Sequence, residues 1–394
     1  MSSKPPKLSD RSPLTHLGEM PIEQFLADYW QKKPLLVPQA FSELRSPVSA
    51  EELAGFALED GVESRLVEET PRTDPLASFW KVKHGPLSDA EFARLPASHW
   101  TLLVQAVDQL APAVGDLLNR FRFVPNWRLD DVMVSYASDQ GSVGPHYDFY
   151  DVFLLQGEGQ RHWRLGQYCD SRARLRSDTA MNLLAEFETQ AEYLLEPGDL
   201  LYIPPQLAHW GIAQGPCITY SIGFRAPSYS DLLLDFTEEL ASQLPPHQRY
   251  SDSGSTPQTH PGEISTDAVT RVQDILTRLT EDKNRIAHWI GSYGTQAKRE
   301  TAELDDPLTP DADETSSSVV LKLRIRAAYV TQPYSTAGSD QAVLYLGGIA
   351  HDCSLALAQA LSRYQALDIR EFPAPNDKTL LTDLISNGWL YSLD

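Results

Sequence analysis

Apolar residues recur along the chain with two periods, and the period changes divide it into blocks. In 21–30, Ile22, Phe25, Leu26 and Tyr29 fall on one side at helical spacing and predict an amphipathic helix. Further on the period shortens to two. Stretches 131–137, 151–156, 160–165, 200–203 and 217–224 read as short strands punctuated by Gly and Pro, which predicts an all-β barrel or sandwich. From about 228 the spacing turns helical again. Leu232, Leu233, Phe236, Leu240 and Leu244 form one stripe; Val269, Val272, Ile275, Leu276 and Leu279 form another. The Ser-, Thr-, Pro- and Gly-rich stretch 250–262 between them is a loop by composition. Two helices build no core alone, so this block packs on a neighbour or forms a dimer interface. After the polar, acidic run 305–318, residues 319–325, 343–346 and 389–393 read as strands, and 354–364 and 378–386 as helices. That mixture predicts a winged-helix-like unit.

Length and charge narrow the classes. A chain of 394 residues suits two or three domains, and 42% hydrophobic with 22% charged residues describes an ordinary globular protein. No apolar run reaches the roughly 18 residues of a transmembrane helix, so no membrane partner is expected. Lys4 and Lys7 near the start are followed by no apolar stretch, so no secretory signal is expected. Only Cys169, Cys217 and Cys353 occur, too scattered for a disulfide framework, which favours a reducing, cytoplasmic setting. Acidic residues outnumber basic ones 54 to 33, giving a net charge of −21 that repels nucleic acid and anionic membranes. Residues 301–394 carry thirteen acidic and six basic side chains. That charge turns the winged-helix-like unit from DNA reading towards protein contact.

Candidate chemistry concentrates in two segments. His146 and Asp148 stand two apart, so on extended chain both point to one face. Downstream, a Pro197-Gly198-Asp199 turn leads into the apolar run 200–203; Pro204 ends it, and His209 follows five residues later. A His-x-Asp pair with a distant His has the spacing of the 2-His-1-carboxylate set that holds Fe(II) and leaves positions open for co-substrate and dioxygen. Read alone, His209 is equally an incidental histidine on a surface hairpin. The remaining histidines His16, His84, His99, His247, His260, His288 and His351 lie outside the pattern and read as surface or packing residues.

The segment 156–165 reads as a hairpin turn entering a strand. Alternation puts Arg161, Trp163 and Leu165 on one face, with His162 and Arg164 on the other. Trp163 and Leu165 favour the core, so Arg161 points inward with them. A buried guanidinium needs an anion, either a ligand carboxylate held by its planar fork or a hidden protein salt bridge. Ser135, on the strand leading to the metal loop, is placed to add a hydroxyl hydrogen bond to the same carboxylate.

Residues 144–156 (GPHYDFYDVFLLQ), 159–164 (GQRHWR) and the Pro-Gly-Asp…Pro-Pro…His-Trp segment resemble the JmjC-type cupin oxygenases. Residues 25–37 resemble their N-terminal helix and entry strand. The likeness is greatest to the bacterial ribosomal oxygenases that hydroxylate an arginine of large-subunit ribosomal protein sixteen. It is strong over 20–227 and looser beyond. It implies a mainly β fold with helical additions: a double-stranded β-helix barrel with N-terminal helices (1–227), a helical dimerisation region (228–300) and a winged-helix-like C-terminal domain (301–394). It makes His146, Asp148 and His209 the Fe(II) ligands. It makes Arg161, assisted by Ser135, the partner of the distal carboxylate of 2-oxoglutarate. The resemblance further implies dioxygen as second co-substrate, a basic ribosomal protein as substrate, and a cytoplasmic homodimer. Many JmjC oxygenases use lysine for that carboxylate, and arginine fits the bacterial ribosomal branch. One departure is Gln206, where the cupin signature has glycine. Asp139, in the loop before the metal motif, is placed to receive a substrate guanidinium or is simply a solvated acid. Histidyl hydroxylation, lysine demethylation and a non-catalytic metal-binding cupin remain the competing functions.

Overall fold

The period-two stretches of the first 227 residues come together in one antiparallel sheet. The computed structural model describes residues 12–42, 44–298, 311–313, 315–331, 334 and 339–393; the chain start and the first part of the acidic run, 305–310, lie outside the described residues. The strands are β1 (Leu35–Val37), β2 (Ser64–Thr70), β3 (Phe79–His84), β4 (Trp100–Val104), β5 (Leu129–Ala137), β6 (Val152–Tyr168), β7 (Ala191–Leu195), β8 (Leu200–Ile203) and β9 (Leu207–Phe224). They order as β1-β8-β6-β9-β5-β4-β2-β3, with β7 paired to β6.

One expectation fails here. Residues 156–160 are not a hairpin turn: β6 is a single strand of 17 residues. The glycines that read as a turn instead let two backbones approach. Gly159 has φ +62°, and a Cβ there would lie 2.1 Å from the Pro216 carbonyl oxygen; a Cβ on Gly157 would lie 2.5 Å from the Tyr220 ring. β9 bulges opposite them, its pairing jumping from Gln214–Gln160 to Ile218–Glu158. Before the bend β6 pairs with β8; after it, with β7. The extra residue also switches parity. Val152 and Leu154 share the inner face with Arg161 and Trp163, an even set continued by an odd one.

Helices α1 (Ile22–Asp28), α2 (Ala50–Phe56) and α3 (Pro112–Asn119) cover the other face. The predicted stripe of α1 buries Ile22 and Phe25. Phe25 meets Tyr202 edge-on at 5.0 Å, and Phe121, Phe153 and Phe224 extend the same core. The outcome is a mainly β barrel with helical additions.

Beyond the barrel stand α4 (Tyr229–Gln243), α5 (Thr266–Thr280) and α6 (Lys283–Thr295). α4 buries Phe236 and Leu240, whereas α5 buries no residue. Among the described residues the second stripe is not packed against a neighbour: Val269, Val272 and Leu276 are 56%, 46% and 58% exposed. α6 was not anticipated, although Ile286, Trp289, Ile290 and Tyr293 have helical spacing. It wedges between units: a Cβ at Gly291 would meet the Tyr345 ring at 2.4 Å, and one at Gly294 would meet Trp127 at 2.8 Å.

The last unit holds β10 (Ser318–Leu321), β11 (Ala327–Val330), β12 (Gln341–Leu346), β13 (Ile349–Ser354), α7 (Leu355–Leu361), β14 (Leu367–Asp368), α8 (Pro375–Ser386) and β15 (Leu390–Ser392). Two three-stranded sheets, β14-β10-β15 and β11-β12-β13, enclose a core of their own around Val319, Leu344, Leu357 and Leu384. Asp130 ties this unit to the barrel, with Arg225 at 3.5 Å, Arg326 at 3.4 Å and Lys298 around its carboxylate. Burial pushes that carboxyl up, but the three cations outweigh it and hold it below the usual range.

Candidate metal centre

His146 and Asp148 lie on the segment 138–151 between β5 and β6, which forms no regular strand yet runs along the first half of β9. The Gln140 N–H donates to the Ala213 carbonyl, and the Ala213 N–H to the Gly141 carbonyl, both at 3.0 Å. The Gln206 N–H donates to the Asp148 carbonyl at 2.6 Å. The Ser142 hydroxyl donates to the Gly211 carbonyl at 2.8 Å and accepts from the Trp210 indole at 3.0 Å. The His-x-Asp pair is thereby stitched to the strand that carries His209. Gln206 takes φ +68°, the left-handed conformation for which glycine is the usual choice. The loop shape survives the substitution at the cost of local strain.

One ligand atom from each of His146, Asp148 and His209 lies within 4.8 Å of the others. The two imidazole centroids are 4.3 Å apart, and His209 Nε2 is 3.7 Å from Asp148 Oδ2. Each ring donates Nδ1–H to a backbone carbonyl, His146 to Gly144 at 2.9 Å and His209 to Leu207 at 3.0 Å. A carbonyl only accepts, so the proton sits on Nδ1 and Nε2 keeps its lone pair for a metal. Burial, then the neighbouring His146, pushes the His209 imidazole down to about 4 against the pull of Asp148, so it is neutral at physiological pH. Two imidazoles and one carboxylate are the donor set that suits Fe(II) with positions left open.

These residues border a cavity of about 770 Å³ that Ser135, Arg161 and Trp163 also line. Arg161 is 5% exposed; its Nη1 sits 3.4 Å from Ser135 Oγ and its Nε has no partner. Among the described residues no carboxylate forms an ion pair with it, so its donors are available to a bound anion.

Asp139 is not brought into this group. Its exposed carboxylate accepts from the Gly215 N–H at 2.8 Å, a bond that holds it below the usual range, and it does not line the cavity. His162 faces outward towards Glu192 at 3.3 Å. Sequence reasoning missed the far wall. Arg65 of β2, His84 of β3, Met181 between β6 and β7, and Tyr293 at the end of α6 all line the cavity. Only the α6 stripe left a signal, because the others reach the cavity through long-range pairing.

Comparison with known proteins finds ribosomal oxygenases among the relatives of the chain. A family described as the JmjC domain matches residues 116–232. The ribosomal protein uL16 3-hydroxylase of Escherichia coli is 35% identical over 295 residues, covering 73% of this chain and 75% of that protein. A probable ribosomal oxygenase of Haemophilus influenzae is 40% identical over 224 residues, covering 57% of this chain and 54% of that one. The solved structure of YcfD, a ribosomal oxygenase from Escherichia coli, in complex with cobalt and 2-oxoglutarate superposes with a TM-score of 0.79 at 29% identity, covering 95% of this chain and 99% of that one.

Proposed function

The chain belongs to the JmjC-domain ribosomal oxygenases, and from that membership we propose that it is an Fe(II)- and 2-oxoglutarate-dependent hydroxylase of an arginine in a large-subunit ribosomal protein. One observation carries the reading. Two imidazoles and a carboxylate converge within 4.8 Å on the wall of a cavity that also holds a buried arginine with no carboxylate partner among the described residues. Fe(II), when bound, supplies the coupling of dioxygen reduction and 2-oxoglutarate decarboxylation to hydroxylation of the substrate. His146, Asp148 and His209 would hold it. Arg161 takes the distal carboxylate of 2-oxoglutarate in its planar fork, with the Ser135 hydroxyl beside it. The inner leucines, Leu154 among them, exclude water from the reacting centre.

The surplus of acidic side chains suits a cationic protein substrate rather than nucleic acid. A ribosomal protein substrate, as the Escherichia coli relative has, supports work in the cytoplasm. Among the described residues no helix is long and apolar enough to cross a membrane. Residues 1–227 form the catalytic domain, 228–300 the dimerisation region and 301–394 a winged-helix-like protein-contact domain. The homodimer reading is supported by the uncovered stripe of α5.

Mass spectrometry of ribosomal proteins incubated with the enzyme, Fe(II) and 2-oxoglutarate tests the proposal. One added oxygen on an arginine is expected, absent with His146→Ala. Oxygen on a histidine, or loss of lysine methyl groups, would move the activity to those substrates. Binding of 2-oxoglutarate without its conversion to succinate would leave a non-catalytic cupin.

A further inference from the structure

Among the described residues, two tryptophans bury an indole N–H that has no hydrogen-bond partner, Trp80 and Trp163. Each is 4% exposed. A buried donor without an acceptor costs free energy comparable to a lost hydrogen bond, so such a group asks for an acceptor from outside the chain. The two differ in their surroundings. Trp163 lines the cavity of the metal centre, and Trp80 does not.

The position of Trp163 is closely determined. It sits opposite Gly211 across the β6–β9 pairing, and a Cβ on Gly211 would lie 2.8 Å from Cη2 of the ring. The absent side chain makes the room in which the six-membered ring rests. The ring centroid is 5.9 Å from that of His209, and the Arg161 guanidinium carbon is 5.6 Å from the Trp163 ring. The indole is thus close to both the buried cation and the candidate metal ligand. Strand alternation puts residues 161 and 163 on one face. Arg161 Nε and Trp163 Nε1 are therefore two buried donors without a protein acceptor, on one side of one strand, bordering one cavity. A single bound anion with several oxygens satisfies both.

We propose that the Trp163 indole N–H donates a hydrogen bond to the bound dicarboxylic 2-oxo acid, making Trp163 a second binding residue beside Arg161; this rests on reading the site as 2-oxoglutarate-dependent. The indole contributes direction where the guanidinium contributes charge. It also stacks near the guanidinium and keeps it over the cavity.

The test uses the full chain loaded with Mn(II), which binds the co-substrate without turnover, and measures 2-oxoglutarate affinity by calorimetry. Trp163→Phe keeps an aromatic ring and removes only the N–H edge. Its Kd is expected to rise about tenfold, as loss of a hydrogen bond to a charged acceptor predicts. Trp80→Phe, which removes the other unpartnered N–H, should bind like the parent. Equal affinity of Trp163→Phe and the parent overturns the inference, and the acceptor is then a trapped water. Failure of the parent itself to bind 2-oxoglutarate overturns instead the functional reading beneath it. Should Trp163→Phe fold poorly, the parent labelled with 15N-tryptophan and loaded with Zn(II) gives an independent readout. One of its eight indole N–H resonances should move downfield when 2-oxoglutarate is added. Eight unmoved resonances overturn the proposal.

Discussion

His146 and His209 exchange two backbone hydrogen bonds, the His146 N–H donating to the His209 carbonyl at 3.1 Å and the His209 N–H returning to the His146 carbonyl at 2.9 Å. The bridge brings a loop residue beside a strand residue 63 positions later, so convergence of the two imidazoles is a property of the backbone. Side-chain geometry at the centre follows from main-chain pairing, and the remaining ring nitrogens are oriented by carbonyls of Gly144 and Leu207.

Removing the His146 ring should therefore separate chemistry from folding. His146→Ala keeps both backbone bonds and is expected to melt within a few degrees of the parent. Its metal content after dialysis should drop, and 2-oxoglutarate turnover should fall at least about a hundredfold. Calorimetric melting and metal analysis on the same samples check both halves.

Arg161 has a different role and should give a different signature. Arg161→Gln keeps hydrogen-bonding capacity but loses the charge that faces the distal carboxylate. The KM for 2-oxoglutarate is expected to rise at least about thirtyfold, while metal content stays at the parent level. Unchanged KM would remove Arg161 from co-substrate binding.

The bend in β6 depends on Gly159. A methyl there meets the Pro216 carbonyl oxygen at 2.1 Å on a backbone already at φ +62°. Gly159→Ala should cost about 2–4 kcal/mol in urea unfolding, because it adds a clash to a disfavoured conformation.

Gln206 presents the reverse case. It occupies φ +68° with a side chain where glycine meets no penalty. Gln206→Gly is expected to leave stability unchanged or raise it by up to about 1 kcal/mol, relief of strain being partly offset by the freer unfolded chain. Gln206→Val should lower it by more than about 1 kcal/mol. Both changes read out in the same urea titration.

Asp108 supplies a pH dependence away from the metal. Burial first, and then the neighbouring Asp131, push its carboxyl up to about 7. In the unfolded chain it titrates near 4, as is usual for Asp (~3.9). Between those values the folded protein holds the additional proton, so this group's contribution falls as pH rises through the window and is level above it. Asp108→Asn retains an acceptor for the Val132 N–H, which donates to Asp108 at 2.8 Å. Its stability relative to the parent should rise by on the order of 2 kcal/mol between about pH 5 and pH 8, measured by urea unfolding at each pH.

Local and long-range information divide the chain differently. The strand runs 200–203 and 217–224, the α1 stripe and the His146-x-Asp148 pair were readable because each depends on spacing within a few residues, whereas the meeting of that pair with His209 is made by a backbone bridge across 63 positions. That Arg161 and Trp163 share a face follows from alternation, and the apolar Trp163 and Leu165 make it the inward one. Where the chain meets a distant partner, pattern was not enough. Glycines at 157 and 159 are compatible with a turn or a bend, and the bulge of β9 at Gly215–Cys217 selects the bend. The stripe of Val269, Val272 and Leu276 announces an apolar face without saying what covers it. The acid at 139 precedes the metal motif in sequence, yet in the fold it accepts from the Gly215 N–H, 76 residues away, and stands outside the cavity lining. The cavity's far wall comes from β2, β3 and the end of α6, none of which neighbours the metal motif in sequence. Local order determines which way a side chain faces; what it faces is set by pairings that close across many residues, and only the folded chain contains those.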